Sequence, residues 1–465
     1  MKSRGGLGVR RAGRPVAALF VLVCAICTLA IGVTGASAGA ADSGGGRFEG
    51  VASCAGSTCH GRMEADGAVV RQDELMRWQE PSSQAGAHSR AFSILLGQRA
   101  RQITSTLGMG DPTSAPACLG CHATPTNGTT GARFLTSDGV GCEACHGPAS
   151  GWISTHYAVG ASHGDNVSRG MIPLEKATAR ANVCLDCHLG SKRDGQFVTH
   201  RIMAAGHPRI SFEIDLFSTL QQHHNEDADY AARKGRTDSV RLWAVGQAMA
   251  VNRALTLYAD ASLGTDGAFP EFYFLDCHSC HRRIFDQEDR VKTWEANPGR
   301  PIPAGMPPFN DENMILLSAA ARVTNPGLAA RFDKDARAFH QAMAASRATS
   351  VSAAVRLAAT ASDLASAMSA MGGNSDTAFA IVDSIAGPAT APRFTDYEGS
   401  VQAVMALDSL LNAMVKQGRV TIGAAAGIRA DINRAYAAVR EPNGYRPPEF
   451  RGALASAVRS IRSLR

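Results

Sequence analysis

Apolar and polar positions divide the chain into three stretches. The first is an uncharged apolar run over residues 15–33, preceded by Lys2, Arg4, Arg10, Arg11 and Arg14 and followed by the small residues TGASAGAADSGGG. A basic head, an apolar middle and A-x-A sites at Ala36-Ser37-Ala38 and Ala38-Gly39-Ala40 predict a secretory signal peptide over 1–41. The apolar run exceeds the usual roughly 7–15 residues and approaches the ~18 that span a bilayer, so an uncleaved anchor is the alternative. The second stretch, 42–295, has little periodicity. Helical stripes are readable near 84–107, where His88 falls in line with Phe92, Leu95, Leu96, Ile103 and Leu107, and near 238–262, with Asp238 as N-cap. Segments 110–117, 123–139 and 146–170, rich in Gly, Pro, Ser and Thr, read as loops. A Pro/Gly-rich linker over 296–310 opens the third stretch, an Ala-rich α-helical domain over 311–465. Its helical periodicity recurs near 313–347, 350–371, 396–416, 426–440 and 448–464, with turns at Asn325-Pro326, Gly372-Gly373, Pro388, Pro392 and Pro442. The fold class is mainly α.

Charge changes this picture little. Of 47 basic and 41 acidic residues, five basic ones lie in 1–41, where there is no acid, leaving 42 against 41. A general nucleic-acid binder is therefore excluded as the leading class.

Cysteine changes it completely. Cys24 and Cys27 lie inside the signal; the other ten form five pairs, each followed directly by histidine. The motifs are I, Cys54-AGST-Cys59-His60; II, Cys118-LG-Cys121-His122; III, Cys142-EA-Cys145-His146; IV, Cys184-LD-Cys187-His188; and V, Cys277-HS-Cys280-His281. At a histidine frequency of about 3%, five such followers by chance have a probability on the order of 10⁻⁸. Disulfides have no need of the histidine, and zinc sites would join the pairs into fours, which five pairs do not allow. Covalent c-type haem needs this arrangement: two thiols add to the two vinyl groups and the adjacent imidazole reaches the iron. The sequence thus predicts five c-type haems, with His60, His122, His146, His188 and His281 as proximal iron ligands. The motifs span residues 54–281, about 46 residues per haem, so the haems would form most of that region's core, with short helices around them.

A second axial histidine makes a haem low-spin and suited to electron transfer. Nine histidines remain for the role. His88, on its apolar stripe, His156, ten residues beyond His146 and near Trp152 and Tyr157, and His200 and His207, in VTHRIMAAGHPR, are the candidates for distal ligands. The fifth partner is left open among His163, His223, His224, His278 and His340. His163 and the His223-His224 pair sit in polar surroundings that by themselves suggest solvated surface, His278 lies between its own two cysteines, and His340 lies on a C-terminal helix.

GVGCEACHGP with a downstream histidine, CLGCHATP, GHPR, and the leading C-x4-C-H with its HSRAF segment resemble the cytochrome c-554 family over roughly residues 50–285. The resemblance implies a multihaem electron carrier that mixes bis-histidine haems with a five-coordinate one. It places His88, His156 and His207 as distal ligands. The fifth motif and the helical extension depart from the family pattern. The expected function is electron transfer outside the cytoplasm, in the periplasm, with redox partner proteins, no nucleic acid, a membrane only if the signal stays as an anchor, and a complex through the C-terminal helices as an option. Two alternatives stand beside it: an oxidoreductase acting on a small nitrogen or sulfur oxyanion at an open haem, and a haem-bearing docking subunit of a larger redox complex. Pentahaem nitrite reductases carry a lysine in place of one proximal histidine, and no C-x-x-C-K occurs here. Residues 42–300 hold 25 basic and 28 acidic groups against 17 and 13 in 301–465, and haem propionates would make the first region more acidic still.

Overall fold

Four of the five motifs sit at or near helix ends, because a C-x-x-C spacing turned into a helix puts both sulfurs on one face. In the computed structural model, which describes residues 46–63, 72–126, 129–224, 226–281, 301, 303, 306–391 and 396–465, the first helices are α1 (Glu74–Trp78), α2 (Ala91–Leu95) and α3 (Gln98–Leu107). The expected signal over 1–41 and much of the expected linker over 296–310 lie outside the described residues. Motif II ends α4 (Pro116–His122), started by a proline at its first turn; motif III is α5 (Cys142–His146); motif IV ends α6 (Ala177–His188). Then follow α7 (His200–Ala204), α8 (Ile214–Leu220), the long α9 (Ser239–Tyr258) and α10 (Cys277–Cys280), which carries motif V with His281 as its C-cap. Motif I is the exception. Its longer spacing is accommodated in turns after a 3-10 turn at Val51–Ser53, closed by His60 N donating to Cys54 O at 3.2 Å.

The helix expected over 84–107 is broken. Gly97, extended at ψ 163°, caps α3, and His88 precedes α2 in a turn rather than riding an apolar stripe. The loop expected over 146–170 contains a short helix, His163–Ser168, started by a reciprocal Ser162–Asp165 capping box.

The C-terminal helices are α11 (Glu312–Thr324), α12 (Pro326–Met343), α13 (Arg347–Ser369), α14 (Ser375–Ala389), α15 (Tyr397–Lys416), α16 (Ile422–Ala438) and α17 (Pro447–Arg462). Helix α14 was hidden in the sequence by its flanking glycines and by Pro388, which falls in its last turn, so that a single hydrogen bond, to the carbonyl of Ser384, is forfeited and no further turn is disturbed. Among the described residues there is no strand, only three isolated bridges. The fold is mainly helical.

Helix α9 joins the motif region to the bundle. Asp238 caps it as expected, accepting from Arg241 N at 2.9 Å, and also accepts from Gly373 N at 2.7 Å in the α13–α14 turn. A side chain at Gly373 would strike that carboxylate, its Cβ only 2.2 Å from Asp238 Oδ1. Helix α9 packs against α13 and α11 on the bundle side and against α6 on the other. Val240, Trp243, Ala244, Val245, Ala248, Leu255, Leu257 and Tyr258 are all fully buried, so its apolar surface is wide, as a central helix requires. They share one core with Phe274, Phe309, Phe332, Phe339, Phe379 and Phe450. Between residues 46 and 238, by contrast, large buried apolar side chains are few: Phe48, Trp78, Leu95, Trp152, Leu185 and Ile214 among them.

Candidate metal centres

Each motif histidine faces a second histidine from a distant part of the chain. His60 and His156 stand with ring centroids 6.2 Å apart and ring planes 13° apart. His122 and His207 are 6.3 Å apart at 83°, His188 and His88 6.2 Å at 69°, and His281 and His200 6.2 Å at 41°. His146 faces two: His223 at 6.5 Å and His224 at 5.8 Å, at 88° and 90°. The ligand atoms of these three lie within 4.8 Å of one another.

Most of these rings are oriented by a hydrogen bond at Nδ1, which leaves Nε2 as the free ligand atom. His122 Nδ1 donates to Ala91 O at 2.8 Å, His156 Nδ1 to Ile153 O at 2.8 Å, and His207 Nδ1 to Pro208 O at 2.7 Å. His223 Nδ1 lies 3.2 Å from Gln221 O. Glu74, on α1, serves two rings at once: one oxygen is 3.0 Å from His60 Nδ1 and the other 3.4 Å from His224 Nδ1. Burial pushes the Glu74 carboxyl up, but the hydrogen bonds from His224 and His60 outweigh it and hold it well below the usual carboxylate range. The same bond raises the His60 imidazole. Burial pushes His88, His146 and His207 down, and takes His188 and His223 to about 4, so these five rings are neutral at pH 7, the form that ligates metals. His188 is further fixed by Phe212, stacked at 4.5 Å.

The other histidines lie elsewhere. His163 Nε2 is 3.2 Å from Glu175, His340 Nε2 is 3.5 Å from Asp311 beneath the bundle, and His278 Nδ1 donates to Pro442 O at 2.9 Å. That last bond braces motif V against the C-terminal helices. Arg209 adds to the brace: it pairs with Glu398 on α15 and with Glu312 on α11, the latter at 3.2 Å, and lies 3.0 Å from Cys277 Sγ.

The motifs also approach one another through their cysteines. Cys54 of motif I lies against Cys142 of motif III, Cys145 of III neighbours Cys184 of IV, and Cys187 of IV lies against Cys121 of II. Close approach between II and IV requires glycine: Gly195 holds φ at +76°, and its Cβ would sit 2.0 Å from Pro116 O. Motif III is pinned by Glu143, which lies between its cysteines and accepts from the backbone N of Glu49 (2.8 Å), Gly50 (2.7 Å) and Ala149 (2.7 Å).

Residues 53–147 match the family model described as cytochrome c554 and c-prime. Over this segment the chain is similar to the cytochrome c-554 kind of multihaem cytochrome. No curated protein and no solved structure matches it. The matched segment carries motifs I, II and III and His88; motifs IV and V lie beyond it. A cytochrome of this kind binds c-type haem iron and carries electrons.

The residues fit that group. With a metal–imidazole nitrogen bond of about 2.0 Å on each side, two ring centroids flanking one iron are about 6.3 Å apart, the spacing of these histidine pairs. The thiols of every motif are unpaired as disulfides. Of the sequence candidates, His88, His156, His200 and His207 each come to face a motif histidine. The polar neighbours of His223 and His224 concealed that the doublet turns inward to His146. Glu74 carried no signal at all, since a lone carboxylate 14 residues after His60 fits no spacing rule.

Proposed function

We propose that this chain is an exported electron carrier with five covalently attached c-type haems, each held by two histidines. The single observation that carries the reading is that all five motif histidines face another imidazole at 5.8–6.5 Å. The axial pairs are His60/His156, His122/His207, His188/His88 and His281/His200, with His146 completed from His223-His224. Bound haem supplies the one-electron couple; the chain's part is to attach it through the thiols, fill both axial positions and set the order of the sites.

That order is I–III–IV–II–V. The first three steps follow the cysteine neighbours, and the last follows α7, which has His207 of site II just beyond one end and His200 of site V at the other. The two exposed motif cysteines, Cys59 and Cys280, belong to the terminal sites I and V, which supports entry and exit of electrons at those ends. A second imidazole opposite every motif histidine favours a carrier over a catalyst with an open haem. The signal-like segment over 1–41 and the family favour a periplasmic location, with a protein as redox partner.

The test is a haem count by pyridine haemochromogen, with EPR and optical spectra of the purified holoprotein. Five haems per chain, all low-spin, with no spectral change on adding nitrite or hydroxylamine, are expected. A high-spin haem that turns over either ligand would overturn the carrier reading. Fractionation should recover the protein from the periplasm, beginning after Ala38 or Ala40; a cytoplasmic product would remove the export claim.

A further inference from the structure

Four motif histidines each face one imidazole, but His146 faces two adjacent ones. His223 and His224 have ring centroids 4.2 Å apart, both have Nδ1 engaged, and their distances to the His146 ring, 6.5 and 5.8 Å, bracket the ~6.3 Å that an intervening iron demands. With Nδ1 engaged on both, Nε2 is the free atom of each, and the ligand atoms of all three rings lie within 4.8 Å of one another. What differs is the support behind each ring. His223 leans on the neutral carbonyl of Gln221, whereas His224 leans on Glu74, a carboxylate shared with His60 of the adjacent site I.

We infer that the iron held by His146 has two interchangeable distal ligands, His223 and His224, and that Glu74 is the positioning residue that sets which one binds. The inference rests on the bis-histidine reading above. A carboxylate behind an imidazole increases its donor strength to the metal and lowers the reduction potential, while a carbonyl does so less. Site III therefore has two low-spin forms of different potential. Because Glu74 also supports His60, the form adopted at III is tied to the ligand field at I. Such a site changes its potential without opening a coordination position.

The holoprotein tests this through spin state and potential rather than turnover. His223→Ala and His224→Ala are each expected to keep five low-spin haems, with site III at a lower potential in His223→Ala than in His224→Ala. The double variant is expected to convert one haem of the five to high-spin. A high-spin haem in either single variant would overturn the proposal by naming one obligatory ligand. Glu74→Gln keeps every imidazole and guards against loss of folding in the alanine variants. It should raise two haem potentials in the His223→Ala background and one in the His224→Ala background. Equal numbers of shifted haems in the two backgrounds would also overturn it. Failure of the carrier reading is seen separately, as a high-spin haem in the parent protein.

Discussion

Glu143 offers the sharpest test of how the chain holds motif III in place. Its side chain is 4% exposed, one oxygen accepts from Glu49 N and Ala149 N, and the other accepts from Gly50 N. Hydrogen bonds to a charged acceptor contribute about 1.5–3 kcal/mol each, but three on one carboxylate are not additive, and the freed amides near Glu49 and Ala149 regain some water. Glu143→Ala takes the charge away with the side chain and leaves three backbone N–H groups without an acceptor, at about 1–3 kcal/mol each before rehydration, so about 3–5 kcal/mol in all is expected. Glu143→Gln retains an oxygen for Glu49 N and Ala149 N but turns an N–H toward Gly50 N, so about 1–3 kcal/mol is expected. Guanidinium unfolding of the holoprotein reads both. Trp78 and Trp152 are buried in the haem region, so their emission, quenched by nearby haem, should appear on unfolding. The midpoints should fall in the order parent, Gln, Ala. If both variants lie within about 0.5 kcal/mol of the parent, the carboxylate is not what fastens residues 49–50 and 149 to motif III.

Three further outcomes follow from the same geometry. Trp243→Ala removes a fully buried ring from the helix that joins the motif region to the bundle, and should cost about 3–5 kcal/mol in the same unfolding experiment while leaving five low-spin haems; a change in spin state would show that α9 acts on the sites directly. Burial, followed by Asp215, pushes Glu213 up to about 7, above its value of about 4.3 in the unfolded chain, so the folded state binds the proton more tightly and stability is lost as pH rises from about 4 to 7. Glu213→Gln removes this dependence, so the variant should gain about 1–3 kcal/mol relative to the parent between pH 5 and pH 8; an unchanged difference at the two pH values would refute the assignment. EPR should separate the sites by ring plane. Near-parallel imidazoles at site I (13°) lift the degeneracy of the iron π orbitals and give a rhombic low-spin signal, whereas the near-perpendicular pairs at II and III (83° and 88–90°) give strongly anisotropic ones. A spectrum made only of rhombic signals would contradict those orientations.

The candidate sites were more legible than the fold around them. A cysteine pair with a following histidine is a local requirement of covalent haem attachment, so motifs I–V stand out in the sequence with no knowledge of tertiary structure. Distal partners are set by long-range packing, yet His88, His156, His200 and His207 could be nominated because few histidines compete. His223-His224 could be kept only among five open candidates, because its neighbours report local polarity while its role depends on where α8 delivers the chain. Helix α9 was visible from Asp238 onward, since capping and apolar content are local. The helix expected over 84–107 was not continuous, because Gly97 is a stronger local signal than the apolar stripe that crosses it. Pro388 misled in the opposite sense: in the last turn it forfeits one hydrogen bond and leaves the preceding turns intact.

The histidine pairs are also a statement about topology. Their members are 77 to 100 residues apart in sequence, and the spans interleave: 60–156 crosses 88–188, 122–207 and 146–223, and 200–281 crosses the last two. Any cut between residues 60 and 281 severs at least one of them, and a cut between 146 and 156 severs four. The motif region therefore has no smaller piece able to complete its own ligation. During synthesis from the N-terminus, the first pair cannot close until His156 has emerged, by which time three motifs have already passed. Loop closure on this scale is slow and its reward is deferred, so the region should assemble as one cooperative event late in the life of the nascent chain, with thioether bonds holding each cofactor until its second histidine arrives.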